Sequence, residues 1–317
     1  MNGLTMKHLR YFVAIARHGH FGRAAEACGI SQPALSVQIK ELEALLGAPL
    51  IERSARQIRL SSLGEVLAER AGDILREVDE LNDLARASRG PLTGRLRIGV
   101  IPTIAPYLLP ALIKELDGQN PKLDIRPREA ITQRLIRDLG EGRLDFAIVA
   151  LPVSERTLHE EPLFDEEFVL VRPIADADRP VPSSKQLRTM RLLLLEEGHC
   201  FRDQALSYCN QPTLASRDLM EGSSLSTLVQ MVGAGIGVTL IPEMAVPTEV
   251  RSAEVSVVRL AAPRPKRTVG MVWRESSPLA PQFLEIAATL RERTSKLRPA
   301  LHGDAEPAGG LGDRVPA

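Results

Sequence analysis

Two of the three cysteines, Cys200 and Cys209, stand nine residues apart, and the first is crowded by His199, Arg202 and Asp203. A thiol attacks as the thiolate, which cationic neighbours or a helix N-terminus favour. Gly198 reads as a helix start, and Phe201–Cys209 contains neither Gly nor Pro. Cys200 then falls in the first turn, where the helix dipole favours negative charge. Nine residues of intact helix span about 13 Å, whereas a disulfide needs Cα atoms within about 7 Å. Pairing therefore requires the segment to unwind. The alternative is a pair of inert, buried, small apolar residues, and spacing alone leaves both readings open. Cys28, in an Ala-rich stretch, reads as a small core residue.

These residues need a scaffold, and the composition allows one. A chain of 317 residues with 44% hydrophobic content can build two or three domains. Formal net charge is +0, so overall charge argues neither for nor against nucleic acid. Its distribution does: residues 1–60 hold eight Lys/Arg against four Asp/Glu, with three His besides. That surplus suggests a DNA-facing module on a near-neutral body. Met1–Arg10 lacks the apolar stretch of a signal peptide, and the apolar runs are far short of a membrane span. Three cysteines make no secreted disulfide framework and none has zinc-site spacing. The chain reads as cytoplasmic, where disulfides are more often transient than structural. No cofactor or metal is expected.

Residues 1–62 read as a compact helical module. Leu9, Phe12, Val13 and Ala16 recur at helical spacing. A second helix, Phe21–Cys28, stops at Gly29. Ser31 is a good N-cap for a third, with Pro33 in its first turn and Leu35, Ile39, Leu42 and Leu45 on its buried face. Helix, glycine turn, helix is the layout whose second helix enters the major groove. From Leu63 to Ala87 a helix without Pro carries Leu67, Ala71, Ile74, Val78, Leu81 and Ala85 in alternating steps of four and three, the seam of a coiled coil. With the hinge-like Ser88–Gly94, residues 63–92 read as a dimerisation linker. Thereafter strands and helices alternate: strands at Leu96–Val100, Leu123–Arg128 and Phe146–Ala150, helices at Tyr107–Leu116 and Thr132–Leu139. This order predicts a parallel α/β sheet, with residues 93–295 as one regulatory domain. The Gly-rich run Ala234–Val238 lacks a phosphate-loop pattern. The remainder, 296–317, reads as a disordered tail: Pro299–Ala317 alone has four Gly and three Pro.

The segment from Ala24-Ala25-Glu26 through Ser31-Gln32-Pro33-Ala34-Leu35-Ser36 to Gln38-Ile39-Lys40-Glu41-Leu42-Glu43, with Leu50-Ile51-Glu52-Arg53, resembles the helix-turn-helix of the LysR-type transcriptional regulators. The run Glu196–Cys209 resembles the redox loop of that family's peroxide-sensing members. The resemblance covers Leu9 to about Arg293 and departs from the pattern at Arg172–Met190 and Asn210–Glu221. It implies an α+β multidomain chain: an N-terminal winged helix-turn-helix, a coiled-coil linker helix, and a two-lobed α/β sensor domain like the periplasmic binding proteins.

The resemblance also implies roles. Cys200 is the sensor that hydrogen peroxide oxidises, and Cys209 resolves it to a reversible disulfide. Thr103 and Thr132, at the carboxyl edge of the sheet, hold peroxide with His199, Arg202 and Asp203; by its position alone Thr132 also reads as the cap of its helix. On the DNA side, Gln32, Pro33 and Ser36 lie within reach of base edges, while Lys40 and Arg53 suit phosphates. The implied partners are double-stranded promoter DNA, hydrogen peroxide, RNA polymerase, three further copies in a dimer of dimers, and a thiol reductant such as glutaredoxin or thioredoxin. The implied function is activation of antioxidant genes. The rivals are a regulator that binds a small metabolite between its lobes, against which the cysteine pair argues, and a thiol peroxidase, in which a helix-turn-helix has no place.

Overall fold

The structure, a computed structural model, describes residues 3–53, 58–88, 92–198, 200–208 and 220–301, without the side chains of Arg53, Asn82, Asp203, Ser207 and 295–301. Two compact units divide the chain, Met1–Gly90 and Pro91–Ala317.

In the first unit, α1 (Met6–His18) starts at Thr5, whose hydroxyl accepts from the His8 amide, and ends at Gly19 in the left-handed region at φ 58°. α2 (Phe21–Ala27) follows, capped by the His20 ring. α3 (Gln32–Leu46) begins at Ser31, whose hydroxyl accepts from the Ala34 amide. Phe12, Ile15, Ala24, Ala25, Leu35, Ile39, Leu42 and Leu50 make the shared core. Leu45, expected on the buried face, is exposed instead. The last turn of α3 runs past the core, which Leu50 completes. β1 (Ile51–Arg53) and β2 (Ile58–Leu60) pair antiparallel as the wing. α4 (Ser62–Ala87) is capped by Ser61. The expected seam is divided along it. Ala71 packs with Leu9 and Val13 and Leu67 lies against the helical core. Ile74 and Leu81 are exposed, as are Val66 and Leu84.

The second unit has two lobes. In the first, β3 (Gly94–Val100), α5 (Ala105–Gln119), β4 (Leu123–Glu129), α6 (Thr132–Gly140) and β5 (Phe146–Leu151) alternate, and β3 pairs parallel with both β4 and β5. β6 (Leu158–Pro173) then runs through both lobes. The second lobe contains α7 (Ser184–Leu187), β7 (Leu193–Leu195), α8 (Cys200–Tyr208), β8 (Met220–Gly222), α9 (Leu225–Gly233), β9 (Thr239–Pro242), α10 (Val246–Glu249) and β10 (Val255–Arg259). β11 (Lys266–Arg274) returns to the first lobe, and α11 (Ala280–Leu301) closes the unit.

The parallel arrangement holds for β3 with its neighbours and for β7 with β8. It does not hold for the strands that join the lobes. β11 is antiparallel to β5 and β6, and β9 and β10 are antiparallel to β6. The cause is connectivity: β6 leaves the first lobe and β11 brings the chain back in the opposite direction. The second-lobe core gathers Phe168, Leu193, Leu194, Leu195, Phe201, Ala205 and Leu228. α11 continues past residue 296, where a disordered tail was expected to begin; residues 302–317 lie outside the described residues.

Candidate functional site

Cys200 is the first residue of α8 and carries a free thiol. The chain reaches it through Gly198, which adopts φ +93°. A Cβ on Gly198 would sit 3.1 Å from Ile131 Cδ1. Glycine there permits both the left-handed backbone and the close approach of this second-lobe loop to the first lobe. The thiol opens on a small recess lined by Ile101, Pro102, Thr103, Ile131, Thr132 and Phe201. Thr103 and Thr132 therefore line the same recess as Cys200, from the opposite lobe.

Each threonine hydroxyl has a definite environment. Thr103 is buried, and its Oγ1 accepts from Arg267 Nη1 at 2.7 Å while its carbonyl accepts from Nη2 at 3.0 Å. A hydroxyl has one proton to give; with a guanidinium donating to it, Thr103 keeps that proton for another acceptor. Arg267 is itself held by Glu166, Nε to Oε2 at 2.8 Å, and Glu166 Oε1 accepts from the Met244 amide at 2.8 Å. Thr132 differs from expectation. It does not cap α6: the N-cap is Ile131, and no side chain caps that end. Thr132 Oγ1 is buried without a hydrogen-bond partner, which is costly unless a small polar molecule completes it.

The groups expected around the thiol are placed unequally. Arg202 is buried and turns to the β7–β8 sheet, where Nη1 donates to Leu195 O at 3.1 Å and to Glu221 Oε1 at 2.5 Å. Its charge is matched by that carboxylate. His199 and Cys209 lie outside the described residues, as does the Asp203 side chain. Phe201 is buried and meets Phe168. Cys28 is half-buried, and burial pushes its thiol pKa up, as suits a structural residue. Sequence reasoning missed Arg267 and Glu166, which pair across 101 residues; no local spacing signals such a pair.

On the helix-turn-helix, Gln32 and Pro33 are exposed at the start of α3, Ser36 is half-buried and Lys40 exposed. Arg53 is in β1, its side chain outside the described residues. Among the described residues no cluster of His, Cys, Asp or Glu could hold a metal, and no helix is long and apolar enough to cross a membrane.

Residues 6–65 match the bacterial regulatory helix-turn-helix protein, lysR family, and residues 89–295 match the LysR substrate binding domain. The chain belongs to the LysR family. Among LysR-family relatives it is 44% identical to a probable hydrogen peroxide-inducible genes activator of Streptomyces viridosporus, over 91% of this chain and 94% of that protein. It is 40% identical to the DNA-binding transcriptional dual regulator OxyR of Escherichia coli K12, over 92% and 96%. Two solved LysR-family structures are similar. One is a cysteine-to-aspartate variant of full-length OxyR from Pseudomonas aeruginosa, with TM-score 0.72 and 38% identity over 92% of this chain and 96% of that one. The other is a cysteine-to-serine variant of Corynebacterium glutamicum OxyR with hydrogen peroxide bound, with TM-score 0.63 and 36% identity over 94% of each chain.

Proposed function

We propose that this LysR-family chain is a DNA-binding transcriptional activator of antioxidant genes, switched by hydrogen peroxide at Cys200. The observation that carries the reading is the unpartnered Thr132 hydroxyl, buried in the same recess as Thr103 and the Cys200 thiol. The recess is nearly closed, and hydroxyls placed there suit a small molecule that both donates and accepts hydrogen bonds. Thr103 donates to one peroxide oxygen and Thr132 serves the other. The Cys200 sulfur attacks an oxygen, an S–O bond forms and the O–O bond breaks. The leaving hydroxide takes a proton and departs as water, so sulfur is oxidised as peroxide is reduced. Cys209 then displaces the sulfenic oxygen as water and an S–S bond forms. α8 unwinds to bring the two cysteines together, and a thiol reductant such as glutaredoxin or thioredoxin restores them. One peroxide is consumed per switching event, which makes the chain a sensor and not a peroxidase.

In the same reading, Gln32, Pro33 and Ser36 read base edges and Lys40 and Arg53 hold phosphates of promoter DNA. Exposed Ile74 and Leu81 on α4 meet a second chain. Two such pairs form a tetramer whose redox change alters the bend of the promoter and its contact with RNA polymerase, in the cytoplasm. The test is a peroxide titration that follows free thiols, disulfide mass and DNA footprint together. Wild type loses the Cys200 and Cys209 thiols as the footprint changes. Cys200→Ser abolishes both responses, and Cys209→Ser accumulates a sulfenic acid without a bridge. A footprint that responds to a small metabolite while the thiols stay reduced supports the rival.

A further inference from the structure

Glu249, the last residue of α10, is buried, yet the peroxide chemistry above gives it no role. Its carboxylate lies between two hydroxyls: Tyr107 Oη donates to Oε1 at 2.6 Å, and Ser226 Oγ donates to Oε2 at 2.5 Å. Tyr107 belongs to the first lobe, in the first turn of α5, and its ring packs against the second-lobe core. Glu249 and Ser226 belong to the second lobe. Burial, then the hydrogen bond to Glu249, push the Tyr107 phenol far above its ordinary pKa, so it is a neutral donor at all working pH values. The three residues line a cavity between the lobes that also touches Pro102 and Thr103, so the contact stands beside the thiol recess.

The contact is one side of a ring. Thr103 lies just ahead of α5 and accepts from Arg267. Arg267 pairs with Glu166, and Glu166 accepts from the Met244 amide. From Met244 the chain runs through α10 to Glu249, which takes the hydroxyl of Tyr107, one turn beyond Thr103. The segment from Met244 to Glu249 is therefore gripped at one end by Glu166, on the strand that joins the lobes, and at the other by Tyr107 of the first lobe. Cys200 stands on the second lobe and its threonine partners on the first, so the distance across the recess follows the fit between lobes. We propose that Glu249 is a positioning residue: through Tyr107, it holds the loop bearing Thr103 at working distance from Cys200. The inference rests on the peroxide reading above.

The test compares two reagents on the full-length reduced protein in a Cys209→Ser background. One is hydrogen peroxide, which needs the threonine hydroxyls, and the other is iodoacetamide, which needs only the accessible thiol. Glu249→Ala and Tyr107→Phe are each expected to slow sulfenic acid formation roughly ten-fold or more, the scale of a misplaced reacting group. Alkylation of Cys200 stays within about two-fold, since neither change touches the thiol. Glu249→Gln keeps a carbonyl oxygen for the Tyr107 hydroxyl and recovers most of the lost rate. Unchanged peroxide rates in Glu249→Ala and Tyr107→Phe overturn the proposal. So does an equal fall in both reagents, which marks general disturbance of the lobe. If Glu249→Ala does not fold, Tyr107→Phe, which removes one oxygen, carries the test. A parent protein that reacts with peroxide no faster than free cysteine sinks the peroxide reading itself, an outcome distinct from failure of the variants alone.

Discussion

Phe201 meets Phe168 edge to face, with ring centroids 4.8 Å apart and planes at 67°. The neighbour of Cys200 is thereby fastened into the second-lobe core, and Ala205, one turn on, is fully buried beside it. Unwinding α8 must draw this apolar surface out, which opposes disulfide formation. Phe201→Ala should lower the stability of the reduced protein by about 3–5 kcal/mol. The oxidised form, with the ring already withdrawn, should lose less. The disulfide then becomes relatively more stable, and its midpoint potential moves negative by tens of millivolts, at about 30 mV per 1.4 kcal/mol. Equilibration against glutathione buffers measures this, and a positive shift speaks against unwinding.

Thr132→Val should separate function from stability. The hydroxyl it removes is buried and unpartnered, so the variant should be equally stable or firmer by about 1 kcal/mol. Oxidation of Cys200 by peroxide should nevertheless slow by about ten-fold. Thermal melts beside stopped-flow thiol loss decide the matter. A variant that melts earlier yet reacts normally would remove Thr132 from the site.

Ile74→Asp bears on assembly. In the single chain Ile74 is exposed, so the change should cost an isolated chain no more than about 0.5 kcal/mol. Between two chains the same carboxylate is buried without a partner and should cost several kcal/mol. Sedimentation should show dissociation of a protein whose circular dichroism is unchanged. Intact oligomers would rule out this face of α4 as the seam.

Gln32→Ala and Arg53→Ala should differ in kind. Loss of a base reader weakens binding at one base position by roughly 1–3 kcal/mol. Loss of a phosphate contact weakens all sites together and flattens the salt dependence. Binding isotherms on matched and base-swapped duplexes at two salt concentrations tell them apart. A uniform loss for Gln32→Ala would make that residue a phosphate anchor.

Local chemistry was legible in the sequence where it is local in the fold. Ser31 and Gly47 bound α3, as a cap hydroxyl and a left-handed glycine must. Cys200 opens α8 because Gly198 bends the chain there. The two threonines lie at one edge of the sheet, and the family resemblance supplied their role. What escaped depends on distant residues. Arg202 pairs with Glu221 of β8, a contact that no local spacing signals. Thr132 reads as a cap, yet the cap position falls on Ile131. Within β6 only Val169–Arg172 reads as a strand in the sequence. The half that pairs with β11 carries five acidic residues and Pro162 among its apolar ones, which conceals the alternation. Leu45 has the right period but lies past the end of the core it was expected to join.

β6 has one more consequence. Glu166, which fixes Arg267 and so Thr103, and Phe168, which anchors Phe201 beside Cys200, are two positions apart on this strand. Successive side chains alternate faces, so these two point the same way, about 7 Å apart along the strand. Both sides of the recess are thus surveyed from a single short baseline, at the point where the strand passes from one lobe to the other.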